Sequence, residues 1–306
     1  MTLQQLHYFK AACRYKNISK AAESLNISQS SISMVIKKLE SEFCVDLIKR
    51  QRIGFVLTRE GELFLAFAQC QLEHVEKLVK QMGDIHQKHW PIQFGIPPMI
   101  CAILLPTLFS ALKTEHPEIR FSFTEAGGHA LLQKLEEGIL DMALLPADSA
   151  TVPCGFEGIQ ITRFEDVCCV AKTHPLAGKS VATLQEIAAY PAVMFSDSFY
   201  HNDKIRILFE KANVNIDIAF MTSQLSTMEQ QIQQDNQVGF LFRERAEQIS
   251  EICVIPFAPR IYTNVLLVWK EGRYISQDMK RLIDFFEKAK GKKLGAEACL
   301  EERICV

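Results

Sequence analysis

A row of hydrogen-bonding and cationic side chains at helical spacing is the part of this sequence best suited to chemistry. The row starts at Ser28, a residue type that caps helix N-termini. The opposite face carries apolar residues at the spacing of a buried stripe, namely Ile32, Val35, Ile36 and Leu39. A helix of this kind can lie in the major groove of DNA and contact base edges. The predicted DNA-contacting residues of this helix are Ser28, Gln29, Ser30, Ser33, Met34, Lys37 and Lys38.

The flanking residues predict a helix-turn-helix followed by a β-hairpin wing. A short helix with small side chains precedes the reading helix, and the chain breaks between them near Asn26. Residues 47–50 and 55–57 are typical of two short strands joined by a turn. This hairpin would place Arg50 and Arg52 beside the phosphate backbone, where cations add affinity without reading sequence.

Charge is distributed unevenly along the chain. Residues 1–60 have a net charge of +5 and the remaining residues of −7, within a total of −2. A basic head on an acidic body is typical of a protein that binds nucleic acid through one part only. A basic surface that is merely solvated is the alternative, and the helix-turn-helix pattern favours DNA.

Residues 58–88 predict one long helix with Thr58 as its N-cap. Apolar residues recur along it at alternating spacings of three and four, as in a coiled-coil seam. The stripe could pack on its own domain or against a second copy of the chain. The length of the helix and its polar other faces favour a dimer, which would present two reading helices to a palindromic site. The predicted seam consists of Leu65, Ala68, Leu72, Val75, Val79 and Met82.

From about residue 90 the pattern changes to alternating strands and helices, which predicts two α/β lobes built on parallel sheets. Short strands are expected at 92–96, 119–125, 140–145, 167–171, 192–195, 216–221, 238–242, 252–255 and 261–269. In such folds ligands bind beyond the carboxyl ends of the strands, near helix N-termini.

The loops at those strand ends are mostly neutral, which favours a small and partly apolar effector, with a carboxylate as one expected chemistry. Serine, threonine and glycine are equally what turns require, so each of these residues has a purely structural alternative. The predicted effector-binding residues are Pro98, Met99, Ile100, Cys101, Gly128, His129, Ala147, Ser196, Phe199, Tyr200, His201, Thr222 and Ser223.

The chain resembles LysR-type transcriptional regulators in the run AAESLNISQSSISMVIKKLE and in the segments VDLIKR and LTREGELFL that follow it. Three residues depart from the family pattern. Ser30 stands where the family usually has proline, Cys44 where it has glycine, and Ile48 where it has phenylalanine. None of these departures removes a cation that could bind phosphate.

This resemblance implies an α/β protein in three parts: an N-terminal winged helix-turn-helix, a long linker helix for dimerisation, and a two-lobed effector-binding domain like a periplasmic binding protein. It also implies double-stranded DNA and a small-molecule effector as partners, and a homodimer, with homotetramers usual in the family. The corresponding ranges are 1–58, 59–89 and 90–306, with lobe I at 90–162 and 267–290, lobe II at 163–266, and a tail at 291–306.

Other functions have weaker support in the sequence. Ten cysteines at irregular spacings, without a CxxC pair, predict free thiols in a reducing compartment and no structural zinc. We expect no cofactor, no metal and no catalytic residues. No signal peptide is visible, and no apolar run reaches the ~18 residues of a membrane span. The predicted location is the cytoplasm, without a membrane partner.

Two alternatives involve cysteine. A thiol-dependent enzyme would pair a cysteine with His129 or His201 as base, but no nucleophile motif accompanies them. A redox-sensing regulator would use Cys168 and Cys169, although neighbouring side chains on a strand point to opposite faces. The tail offers a second pair, Cys299 and Cys305.

Overall fold

The computed structural model describes residues 1–52, 54–86, 89–234 and 236–289. The chain divides into two compact units, Met1–His86 and Gln87–Val306. The predicted tail at 291–306 lies outside the described residues.

The N-terminal unit has the predicted winged helix-turn-helix. Side chains cap its helices: Thr2, Asn17, Ser28 and Thr58 each accept a backbone N–H of the first turn. Asn26 has a φ of 52°, a left-handed conformation that asparagine tolerates and that turns the chain between the second and third helices. The elements are α1 (Leu3–Tyr15), α2 (Ile18–Ser24), α3 (Gln29–Phe43), β1 (Ile48–Arg50), β2 (Phe55–Leu57) and α4 (Arg59–Ile85).

The core of this unit takes in the first half of α4. Phe9 of α1 packs edge-on against Phe64 of α4, with ring centroids 5.1 Å apart. Ala68 is completely buried in the same core, and Leu65 and Leu72 pack against it. The predicted seam is therefore wrong at Ala68, because this side chain is enclosed by its own unit.

The second unit contains the remaining elements. They are β3 (Ile92–Ile96), α5 (Pro98–Leu104), α6 (Ser110–Glu115), β4 (Phe121–Glu125), α7 (Gly128–Glu136), β5 (Met142–Ala147), β6 (Phe156–Ala171), α8 (Leu184–Ala188), β7 (Ala192–Phe195), α9 (Tyr200–Lys211), β8 (Ile218–Thr222), α10 (Leu225–Ile232), β9 (Val238–Phe242), α11 (Arg243–Ala246), β10 (Ile252–Lys270) and α12 (Gln277–Ala289). A π-helical turn, Leu105–Phe109, joins α5 to α6.

The strands of this unit form one mixed sheet in the order β4-β3-β5-β10-β6-β9-β7-β8. The outer pairs, β3 with β4 and β7 with β8, are parallel as predicted. The expectation of purely parallel sheets is wrong at the centre, where β10 runs antiparallel to both β5 and β6. These two long strands, β6 and β10, pass through both lobes and join them.

The sequence did not show these strands at full length. Strand β10 is continuous from Ile252 to Lys270, although the pattern predicted two short strands, because an irregularity between Pro256 and Ile261 interrupts its alternation. Strand β6 begins at Phe156, eleven residues before the predicted start at Val167, in a segment whose charged side chains obscure its periodicity.

One helical run has the length and hydropathy of a membrane span. Residues Pro98–Glu115 have a mean hydropathy of 1.2 over 18 residues, so the expectation that no run reaches this length is corrected. Ile100, Leu104 and Leu112 of this run are almost completely buried in the core of the unit. We therefore interpret it as the core helix of an α/β domain.

Candidate DNA-binding and effector sites

The third helix exposes the polar face predicted for DNA contact. Its apolar stripe of Ile32, Ile36 and Leu39 is buried. Met34 is 67% exposed at the middle of the opposite face. The predicted contacts Ser28, Gln29, Ser30, Met34, Lys37 and Lys38 are exposed, and Ser33 is partly so.

The start of this helix uses one predicted contact for its own structure. The hydroxyl of Ser28 accepts the N–H of Ser31 at 3.2 Å and lies 2.8 Å from the hydroxyl of Ser30. Ser28 and Ser30 therefore form a hydroxyl cluster at the helix start, and Ser30 is the residue that stands where the resemblance predicts proline. Gln29 and Ser33 have no such role among the described contacts.

The wing is positioned by the end of the reading helix. Glu40 Oε1 accepts the backbone N–H groups of Leu47 at 3.0 Å and of Ile48 at 3.3 Å. The hairpin then turns through Gly54, whose φ of +79° and close approach to the backbone oxygen of Lys16 leave no room for a Cβ atom. Arg50 and Arg52 are exposed on this hairpin.

Helix α4 also exposes a row of large apolar side chains, two of them in its first half. Leu78 is 52% exposed and Ile85 71% exposed. We call this row the α4 apolar face; it comprises Leu63, Phe67, Leu78, Val79, Met82 and Ile85. Val79 and Met82 belong to the predicted seam, whereas the other four residues of the face were missed.

The second unit contains a small cavity, open on one side, at the boundary of the two lobes. Seven predicted effector residues line it: Pro98, Met99, Ile100, Gly128, Phe199, Tyr200 and His201. Four further lining residues, Pro97, Pro146, Phe195 and Phe242, were missed. Phe195 and Phe242 are the last residues of β7 and β9, so their place at strand ends was the signal that could have found them.

The other six predicted residues do not line this cavity. Cys101 is buried in the core, with its thiol 3.5 Å from Glu125. Thr222 ends β8, the edge strand, and its hydroxyl accepts the N–H of Gln224 at 3.1 Å, which is the turn chemistry that was its structural alternative. His129, Ala147, Ser196 and Ser223 are likewise absent from the lining.

Four helices begin at the cavity without a side-chain cap. The N-caps of α5, α7, α9 and α11 are Pro97, Gly127, Phe199 and Phe242, and none of them provides a capping hydrogen bond. The helices of the N-terminal unit, in contrast, start with a serine, threonine or asparagine cap. Uncapped helix N-termini carry free backbone N–H groups and partial positive charge, which suit an anionic group.

A buried polar cluster lies behind the cavity wall. The Asp166 carboxylate is completely buried, with His201 Nε2 at 3.1 Å, Lys204 Nζ at 3.1 Å and the Thr263 hydroxyl donating at 2.8 Å. Burial acts to raise the pKa of Asp166, but His201, Lys204 and Thr263 outweigh it, so the pKa is lowered. Because Asp166 lies on β6 and Thr263 on β10, the cluster connects the cavity wall to the strands that join the lobes.

The two lobes touch directly beside the cavity. His129 Nε2 of lobe I lies 2.8 Å from Asp203 Oδ2 of lobe II, and both side chains are about half exposed. A Cβ atom on Gly127 would lie 2.1 Å from the backbone oxygen of Ser198. Glycine at position 127 is therefore required for the backbones of the two lobes to approach this closely.

The adjacent cysteines Cys168 and Cys169 are not placed as reactive thiols. Cys169 belongs to the core that includes α5, whereas Cys168 belongs to a different cluster on the other side of β6. Burial raises the pKa of Cys168 to about 12 and that of Cys169 well above its usual value. Because the thiolate is the reactive form, neither is prepared for oxidation. Cys299 and Cys305 lie outside the described residues.

A winged helix-turn-helix joined to a two-lobed α/β unit defines a ligand-responsive transcriptional regulator. Comparison with known families agrees: residues 3–62 match the profile described as a bacterial regulatory helix-turn-helix protein of the lysR family, and residues 87–290 match the LysR substrate binding domain. The chain therefore belongs to the LysR family of transcriptional regulators.

Individual relatives cover nearly the whole chain. The uncharacterized HTH-type transcriptional regulator YybE of Bacillus subtilis is 27% identical over 278 residues, which is 90% of this chain and 94% of that protein. The hydrogen peroxide-inducible genes activator of Haemophilus influenzae is 27% identical over 305 residues, covering 93% and 99%. Full-length OxyR from Pseudomonas aeruginosa, carrying a cysteine-to-aspartate substitution, has the same fold with a TM-score of 0.66, 20% identity and 96% coverage of both chains.

Proposed function

We propose that this LysR-family regulator binds its operator as a dimer through α3 and the wing, and that a small effector in the interlobe cavity shifts the equilibrium between its DNA-bound arrangements. The observation that carries the effector assignment is the cavity itself, where residues of both lobes converge on one mostly apolar space. A ligand that contacts both lobes favours one arrangement of the protein over another only if it binds the two arrangements with different affinity.

For DNA, the exposed face of α3 provides the expected base-reading groups and the wing provides cations. Gln29 and Ser33 would contact base edges, while Lys37, Arg50 and Arg52 would contact phosphates. Selection of bound fragments from genomic DNA, followed by fluorescence anisotropy at several salt concentrations, tests this proposal. Binding that shows no sequence preference and no salt dependence would contradict it.

For assembly, the α4 apolar face supports pairing with a second copy. Leu78, Val79, Met82 and Ile85 are each more than half exposed and lie within about two turns of one helix. The resemblance to LysR regulators implies dimerisation through this helix, with a tetramer as the usual larger assembly.

For the effector, the uncapped starts of α7 and α9 support binding of a carboxylate by backbone N–H groups. A thermal-shift screen of small acids on the full-length chain tests this, since a ligand at 100 times its Kd stabilises by about 2.7 kcal/mol. A hit should be lost in Gly128→Leu, which adds a side chain to the cavity wall, and retained in Thr222→Ala, which lies outside the lining. A hit that behaves in the reverse way would place the effector elsewhere.

A redox-sensing regulator is the second candidate, because one relative is named a hydrogen peroxide-inducible genes activator. The burial and raised pKa values of Cys168 and Cys169 weigh against that role for this pair. We propose that the chain acts in the cytoplasm by binding rather than by catalysis. An unchanged peroxide response in the variant with serine at both positions would confirm that this pair is not the sensor.

A further inference from the structure

A thiol and an imidazole lie within the exposed apolar row of α4. Cys70 and His74 are both exposed, and their spacing of four residues places them on the same side of the helix. Phe67 precedes them and Leu78 and Ile85 follow them on a stripe that covers about a quarter of the helix circumference. A surface that covers this row must therefore also cover Cys70 and His74.

The two side chains are spaced as ligands of one metal ion. Cys70 Sγ lies 4.0 Å from His74 Nδ1. Tetrahedral zinc binds sulfur at about 2.3 Å and imidazole nitrogen at about 2.0 Å, so two such ligands lie roughly 3.5 Å apart. Ligands at positions i and i+4 of one helix are also the arrangement by which metalloprotease helices hold zinc. A small rotation of the two side chains would let them bind the same ion.

A single chain provides only half of such a site. A closed zinc site takes four ligands, and no group of three or more potential ligands occurs among the residues that the structure describes. An interface between two copies related by a two-fold axis uses the same surface patch twice. If the exposed row pairs with itself near Cys70 and His74, two thiols and two imidazoles meet, which is a ligand set of tetrahedral zinc sites. The lack of a CxxC pair, from which no structural zinc was predicted, does not bear on a site that two copies share.

We propose that a zinc ion binds between two α4 helices, held by Cys70 and His74 of this chain and by the same two residues of a second copy. This inference rests on the proposed dimer. Each thiol releases its proton to solvent as it binds the ion. The ion also provides partners for polar groups that an apolar interface would otherwise bury at a cost. Because only the dimer has all four ligands, zinc binding must strengthen dimerisation.

Metal titration of the reduced, metal-free full-length chain tests the site. Zinc alone, added in competition with a chromophoric chelator, should bind with a stoichiometry of one ion per two chains. Cobalt(II) is the second probe, because its absorption spectrum reports both tetrahedral geometry and thiolate ligation, which suit this ligand set. Sedimentation of dilute protein should show a larger fraction of dimer in zinc than in chelator.

Substitutions at the two ligands assign the ion to α4. Cys70→Ser and His74→Gln should each lower zinc affinity by about 100-fold or more, since loss of an outer-shell partner alone costs about 10- to 100-fold. Each should also remove the effect of zinc on the fraction of dimer. Cys154→Ser is the matched control, because Cys154 is an equally exposed thiol outside α4. It should bind zinc as the wild type does.

The outcomes separate the metal site from the dimer. Zinc affinity that is unchanged in Cys70→Ser or in His74→Gln overturns the site. A chain that binds no zinc but still sediments as a dimer leaves the dimer standing and overturns the metal site alone. Leu78→Arg disrupts the row without adding a carboxylate that could bind zinc, and it should lower both dimerisation and zinc affinity. If it remains a dimer, the interface lies elsewhere and the shared site is wrong together with the α4 dimer.

Discussion

Replacing Gly127 by alanine should force the two lobes apart beside the cavity. The φ of −65° and ψ of 154° at Gly127 are ordinary for alanine, so the substitution introduces no backbone strain of its own. The new Cβ atom would lie 2.1 Å from the backbone oxygen of Ser198, whereas real contacts are essentially never shorter than 3.0 Å. The two backbones must therefore separate by about 0.9 Å, the difference between these distances.

This displacement should lower the free energy of unfolding. Overpacking a close contact typically costs about 1–3 kcal/mol, and for a unit of this size each 1 kcal/mol lowers Tm by about 2–4 °C. The expected loss is therefore about 2–12 °C in a thermal melt of the full-length chain. Hydrogen exchange should also become faster at the start of α9, where Ser198 and Phe199 lie.

Gly178→Ala is the matched control, since a Cβ atom there meets nothing within 4 Å. It should leave both Tm and exchange at the start of α9 unchanged. A melting temperature of Gly127→Ala within about 1–2 °C of that of Gly178→Ala would correspond to less than about 1 kcal/mol. The close approach of the lobes would then not be a feature of the protein in solution.

Four further substitutions test the remaining parts. Ser33→Ala should reduce the discrimination between operator and random DNA by about 1 kcal/mol or more, as measured by anisotropy. Arg52→Ala should weaken binding to operator DNA and to random DNA alike, and it should reduce the salt slope of binding by about one in the same assay. Leu78→Asp should disrupt the dimer in sedimentation experiments, because an unpaired charge would be buried in the α4 apolar face; an unchanged oligomer would place the interface elsewhere. Burial is the largest cause that raises the pKa of Glu244 from 4.5 to about 7, so the folded chain holds a proton that the unfolded chain releases, and stability should fall as pH rises between these values. Glu244→Gln should then be more stable than wild type by about 1–3 kcal/mol at about pH 8 and not at about pH 4, and equal denaturation midpoints at both values would contradict this.

The sequence alone was sufficient to predict those features of the fold that depend on local chemistry. Capping at Ser28 and Thr58 depends on neighbours a few residues apart and is present as predicted. The predicted stripe of α3 is buried at Ile32, Ile36 and Leu39, whereas Val35 is half-buried. The dimerisation seam of α4 was harder to predict, because a heptad pattern shows that one face of a helix is apolar but not which partner covers that face. Ala68 is covered by its own unit.

The candidate effector site was predicted in part for a similar reason. Residues at helix starts, such as Gly128 and Tyr200, could be placed at the cavity from the order of strands and helices. Phe195 and Phe242 end apolar strands and have the sequence appearance of core residues, so only their position in the sheet distinguishes them. Thr222 was predicted at the site because the sequence does not show that β8 is an edge strand, and it does not line the cavity.

The two long strands that join the lobes limit how this regulator can respond to a ligand. Strands β6 and β10 are paired with each other within both lobes, but the pairing is irregular between Pro256 and Ile261, opposite Asp166 and Val167. The two strands therefore join the lobes through a ladder of hydrogen bonds that is interrupted near the place where one lobe meets the other. A rotation of one lobe against the other is expected to be absorbed at this irregularity, while the ladders inside each lobe keep their hydrogen bonds.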